Sequence, residues 1–179
     1  MASVLVPLAD GFEPVEALLP VDMLRRAGLD AIFASVDGAE TVRGIKNIGI
    51  VADRPLKDCS MKDFDALFLP GGSRGTILLQ RNQTVQRLVR KAYEYGKIIA
   101  AICAAPTVLK KLGLLEGKNF TAYPTIVEGA REEMQLLEDG QIITGRDPGA
   151  AALLGLTLLR RLAGPEVADA VAKSMGFYN

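Results

Sequence analysis

The sequence predicts an α/β fold: a mostly parallel sheet covered by helices on both faces. Short apolar runs at Ser3–Leu8, Ala31–Val36, Asp65–Leu69 and Ile98–Ile102 lack the polar alternation of half-exposed strands, so they read as strands buried on two sides. Helical segments separate them, the order expected of parallel strands joined by crossovers. The 179 residues, 49% hydrophobic and 23% charged, fit one domain spanning 1–179, with no linker, repeat or low-complexity segment.

Each element follows from local chemistry. Asp10-Gly11 ends the first strand, and Pro14 suits the first turn of a helix whose positive end lies near Glu13 and Glu16. That helix is expected to reach Arg26, with a kink at Pro20 and a stop at Gly28. Asp37-Gly38 closes the second strand. Residues 41–57, broken by Gly44, Gly49 and Pro55, read as short antiparallel strands at one edge. The third strand runs into Pro70-Gly71-Gly72. A helix follows at Asn82–Tyr95, apolar at Val85, Leu88, Val89 and Ala92. Beyond the fourth strand a helix is expected at Pro106–Leu112 and strands at Asn119–Ala122 and Gln141–Thr144, with a helical stretch over Glu128–Leu137 between those strands. Helices at Ala150–Leu162 and Glu166–Met175 complete the chain.

Composition excludes several classes of function. Lys plus Arg and Asp plus Glu both number 21, so no basic field marks a nucleic acid partner. The longest apolar stretches, Ile98–Ala105 and Ala150–Leu156, are too short to span a membrane. The N-terminal residues carry no basic region ahead of an apolar core, and two cysteines cannot build a disulfide framework; a reducing, cytoplasmic setting is expected. Histidine is absent. That removes the usual general base, the usual partner of a nucleophilic Ser or Cys, and the commonest ligand of catalytic zinc, so no metal site is expected.

Parallel sheets bind ligands at the carboxyl ends of their strands, where Asp10–Glu16, Pro70–Gly75 and Cys103–Pro106 all fall. Cys103 lies between strand and helix among Ala100, Ala101, Ala104 and Ala105, small enough for a sharp nucleophile elbow, and the following helix start favours thiolate. A buried core cysteine fits the same pattern. Glu13 and Glu16 share one helical face. They read either as exposed carboxylates complementing the helix dipole or, if one turns inward beside the sulfur, as an acid with a raised pKa. Gly71–Gly75 suits a turn or an anion cradle, but not dinucleotide or P-loop spacing. Arg146-Asp147-Pro148-Gly149 suits a turn and helix start, or an arginine placed for an anion. Cys59, in a polar segment, reads as a bystander.

Leu69-Pro70-Gly71-Gly72, Ala100-Ala101-Ile102-Cys103-Ala104-Ala105-Pro106 and Asp10-Gly11-Phe12-Glu13-Pro14-Val15-Glu16 together resemble the DJ-one group of the ThiJ/PfpI superfamily. The likeness extends through Pro20-Val21-Asp22, Arg25–Gly28 and Arg146–Gly149, nearly the whole chain. It implies a flavodoxin-like homodimer, with Cys103 as the reactive cysteine and Glu16 in contact with it. It implies that Gly72 and Ala104 offer amides to an oxyanion, and that Glu13, Arg26, Tyr123 and Arg146 lie near the substrate or the dimer interface. Tyr123-Pro124 stands where many eukaryotic members carry a histidine before proline. The family is credited with glyoxalase-type conversion of methylglyoxal, deglycation of adducts and protection against oxidative stress.

Two functions are therefore expected. One is cofactor-free chemistry on small reactive carbonyls or glycated adducts, with Cys103 as nucleophile and Glu16 moving the proton. The other is a redox-sensing protein or chaperone switched by oxidation of Cys103 to sulfinate.

Overall fold

Alternation along the first strand divides the interior into two layers. The computed structural model describes residues 1–177; Tyr178 and Asn179, the end of the expected domain, lie outside the described residues. In β1 (Ser3–Leu8), Val4, Val6 and Leu8 join one apolar cluster and Leu5 the other. The first cluster lies under α1 (Pro14–Arg26), α5 (Ala151–Ala163) and α6 (Pro165–Ser174). The second lies under α3 (Gln83–Glu94) and α4 (Pro106–Lys111). Both faces of the strand are covered, which is why its sequence is apolar throughout. Each fully buried Val or Leu contributes about 1.5–3 kcal/mol.

The other strands are β2 (Asp30–Ser35), β3 (Thr41–Arg43), β4 (Gly49–Val51), β5 (Arg54–Pro55), β6 (Ala66–Leu69), β7 (Ile98–Ile102), β8 (Leu136–Asp139) and β9 (Ile142–Gly145). Seven form one sheet in the order β5-β2-β1-β6-β7-β9-β8, parallel except for the β8–β9 pair. The expected mostly parallel sheet between helices is present. Among the described residues no helix is long and apolar enough to cross a membrane.

Local departures have physical causes. The expected helix at Glu128–Leu137 is a run of turns leading into β8. Gly140-Gln141 closes a two-residue hairpin there, with Gly140 at φ +64°, and pairing with β9 overrides local helix propensity. Asn119–Ala122 joins no ladder; two of its amides are satisfied by side chains instead. Asn119 N–H donates to Asp139 Oδ2 and Thr121 N–H to Thr144 Oγ1, each at 2.9 Å. A helix the glycine-rich stretch does not announce, α2 (Ser73–Arg81), precedes α3, and the Asn82 side chain caps α3 by accepting from Val85 N–H at 3.0 Å. The segment 41–57 is split: β3 and β4 form a separate antiparallel ribbon, and β5 extends the sheet edge. Helix α1 runs unbroken from Pro14 to Arg26 through Pro20.

Candidate active site

The carboxyl ends of β1, β6 and β7 converge as the sequence leads one to expect. Cys103 follows β7 directly and adopts φ +62°, a left-handed conformation that costs a non-glycine residue about 1–3 kcal/mol. Its backbone is fixed on both sides. Cys103 N–H donates to the Gly145 carbonyl at 2.9 Å, and its own carbonyl accepts from Tyr123 N–H at 2.8 Å. The alanines around it leave room for the turn.

Glu16, in the first turn of α1, points inward and is fully buried. Its Oε2 accepts from Gly71 N–H at 2.9 Å, while Oε1 has no hydrogen-bond partner by geometry among the described residues. A methyl group on Gly71 would strike Glu16 Oε2 and sit 2.8 Å from Cys103 Cβ, so the missing side chain is what lets acid and sulfur share this space. Gly72 makes a second close approach. At φ +92°, it lies against Gly11 and Glu13, and a Cβ there would fall 2.6 Å from Glu13 N. Glu13 N–H in turn donates to the Gly71 carbonyl at 3.0 Å, tying the start of α1 to the end of β6.

Burial pushes the Glu16 carboxyl up to about 7. Hydrogen bonds from Cys103 and Gly71 pull the other way, and the charges of Glu13 and Asp147 add to the rise. The Cys103 thiol is pushed up to about 12, by burial first and then by the Glu16 charge and hydrogen bond; the amides of Ala104 and Gly72 oppose this. The expectation that a helix end makes Cys103 acidic is therefore corrected. Helix α4 has six residues, and burial plus an ionised neighbour outweigh two donor amides. Two negative charges cannot both persist in this space, so the pair keeps at least one proton at neutral pH.

A cleft of about 300 Å³ opens over the sulfur, lined by Ser73, Thr76, Ile77, Cys103, Tyr123 and Ile126 together with Ala104 and Thr107. Thr76 is 3% exposed, and its hydroxyl has no partner among the described residues. Thr107 Oγ1 donates to the Ala104 carbonyl at 2.7 Å.

The remaining expected site residues divide. Tyr123 lies in the cleft wall. Arg146 follows β9, but its Nε pairs with Asp147 at 2.8 Å and a terminal nitrogen donates to the Glu132 carbonyl at 3.2 Å. Arg26 is not brought to the sulfur: it sits ten residues beyond Glu16 along α1, about 15 Å at helical rise, and pairs with Asp22. Thr76, Ile77 and Ile126 join the site without having been singled out. Nothing in local sequence marks Thr76 or Ile126, whereas the Gly71-Gly72 pair after an apolar strand is a signal of close backbone approach. Among the described residues no His, Cys, Asp and Glu cluster suits a metal ion.

A doubly wound sheet carrying a left-handed cysteine against a buried glutamate defines a cysteine-centred α/β protein. The chain belongs to the DJ-1/PfpI family, whose model matches residues 2–161. It is 37% identical to Protein dj-1beta of Drosophila melanogaster, covering 97% of this chain and 96% of that one. The crystal structure of Drosophila melanogaster DJ-1beta superposes with a TM-score of 0.93 over 98% of each chain. The glutathione-independent glyoxalase DJR-1.2 of Caenorhabditis elegans is 31% identical over 97% of this chain and 95% of its own length. Protein DJ-1 homolog A of Arabidopsis thaliana is 38% identical, and there this chain spans 45% of the relative's length.

Proposed function

We propose that the chain is a cofactor-free, Cys103-dependent enzyme for small reactive carbonyls, converting methylglyoxal to lactate or releasing related adducts. The observation that carries this reading is the burial of Glu16 beside Cys103, which holds its proton near pH 7. An acid poised there serves as both donor and acceptor. Passing the thiol proton to Glu16 gives a thiolate beside a neutral carboxylic acid. The thiolate adds to the aldehyde carbon of methylglyoxal, forming a C–S bond as the carbonyl pair moves to oxygen, and the amides of Gly72 and Ala104 hold that oxyanion until Glu16 gives it the proton taken from the thiol. Glu16 takes the proton from the carbon bearing sulfur and returns it to the adjacent carbonyl carbon, while the hydroxyl proton passes from the first oxygen to the second, giving a lactoyl thioester. Water cleaves this bond, releasing lactate and the thiol. The net reaction is methylglyoxal plus water to lactate and a proton. The glyoxalase named among the relatives supports this choice of substrate.

The same amides and a protonated Glu16 would also hold a sulfinate, so oxidation of Cys103 is a second reading, favoured by a residue that is partly exposed and lines an open cleft. We further propose a homodimer. Val15 and Leu18 on α1 and Ile48 and Val51 on the ribbon are exposed, and the ribbon is bound to the start of α1 through Ile45 N–H to the Phe12 carbonyl at 2.9 Å.

The test is lactate formation from methylglyoxal by the purified protein, with Cys103→Ser and Glu16→Gln as controls. Activity lost in Cys103→Ser and reduced at least about a hundredfold in Glu16→Gln is expected. Activity retained in Cys103→Ser would refute the mechanism. Mild peroxide followed by mass spectrometry addresses the second reading: dioxidation of Cys103 ahead of Cys59 supports it, and equal oxidation of both removes it.

A further inference from the structure

Helix α2 separates two environments. Its Ser73, Thr76 and Ile77 face the Cys103 cleft, whereas Arg74, Leu78 and Arg81 line another cleft with Asp10 and Asp37. Spacings of three and four put each set on its own stripe, so the arginines of α2 are turned away from the sulfur. No Lys, Arg, Asp or Glu is among the residues lining the Cys103 cleft. Arg146 is engaged with Asp147 and the Glu132 carbonyl. Behind the sulfur the charges are negative: Glu16 is buried there, and Glu13 and Asp147 act on it. A carboxylate or phosphate entering the cleft would meet no counter-charge and would face repulsion.

Apolar surface lies at the mouth. Ile77 and Tyr123 are each 48% exposed and Ile126 is 41% exposed, leaving hydrocarbon in water that an apolar group would cover. Inside, Thr107 spends its hydroxyl proton on a backbone carbonyl, whereas the Thr76 hydroxyl, buried and without a partner, is a neutral group free for a ligand oxygen. Resting on the carbonyl chemistry above, we infer that the cleft selects uncharged carbonyl compounds bearing an apolar substituent over anionic ones. Ile77, Tyr123 and Ile126 set this selectivity, and Thr76 receives the neutral oxygen.

Two measurements test this. The first compares alkylation of Cys103 by iodoacetamide and by iodoacetate, with Cys59 as internal reference and peptide mass spectrometry as readout. Both reagents form the same carbon–sulfur bond and expel iodide; they differ in charge. The neutral-to-anionic rate ratio is expected to be at least about tenfold larger at Cys103 than at Cys59, and to fall in Ile126→Lys. Equal ratios at the two cysteines overturn the inference. The second compares kcat/KM for phenylglyoxal, methylglyoxal and glyoxylate. Phenylglyoxal is expected to lead methylglyoxal by about tenfold, mainly through KM, with the lead lost in the doubly substituted Ile77→Ser, Ile126→Ser protein. Glyoxylate turned over as well as phenylglyoxal would overturn the selectivity while leaving the Cys103 chemistry standing. No turnover of any of the three would refute the proposed reaction, and the alkylation ratio would still decide the inference.

Discussion

Replacing Glu16 with glutamine isolates the cost of burying a charge at the site. The side chain is fully buried, and its carboxyl is raised from an ordinary 4.5 to about 7, chiefly by burial. The folded protein therefore holds this proton more tightly than the unfolded chain does. Raising the pH from about 4.5 through about 7 removes folding stability, and above about 7 the loss is complete. At 1.36 kcal/mol per pH unit the loss is about 3 kcal/mol. Glutamine keeps an oxygen for the Gly71 N–H and carries no charge, so the variant escapes this loss. Urea unfolding of both proteins at pH 5, 6, 7 and 8 gives the comparison, and other titrating groups cancel in the difference. The stability of Glu16→Gln relative to the parent is expected to rise by about 2.5 kcal/mol between pH 5 and pH 8. The Cys103 thiol is also expected to titrate below about 12 in the variant, since the second-largest cause of its rise has gone. A difference that stays flat with pH would refute the claim that Glu16 is strained by its own charge, and with it the retained proton on which the mechanism depends.

Two further substitutions probe the same corner of the fold. Gly71→Ala puts a methyl group against Glu16 Oε2 and 2.8 Å from Cys103 Cβ; a loss of about 1–3 kcal/mol in denaturant unfolding is expected, together with loss of carbonyl turnover. Thr76→Val removes a buried hydroxyl that has no partner, at nearly constant volume. It is expected to raise stability by about 1 kcal/mol; destabilisation would mean the hydroxyl is satisfied within the fold.

Much of the architecture is legible because its causes are local. The apolar runs at Ser3–Leu8 and Ile98–Ile102 announce strands covered on both faces, and Pro14 and Gly28 bracket α1. Where pairing partners decide, local pattern misleads. Leu136–Asp139 reads as part of a helix, yet its pairing with β9 across Gly140 makes it a strand. Thr121 sits in an apolar run, but its amide bonds the Thr144 side chain rather than a neighbouring strand.

The site divides in the same way. Residue types and their order mark Cys103 and the Gly71-Gly72 pair, and the absence of histidine restricts proton transfer to other groups. Helical spacing alone leaves Glu13 and Glu16 equivalent, and the resemblance points to Glu16; the physical reason lies in tertiary structure, where α1 packs so that Glu16 reaches the Gly71 amide and the sulfur. Acidity is decided there too. Desolvation and charge proximity depend on what surrounds a group from distant parts of the chain, so a helix start beside Cys103 suggests an acidic thiol, whereas the assembled pocket gives a sulfur and a carboxyl that keep at least one proton between them.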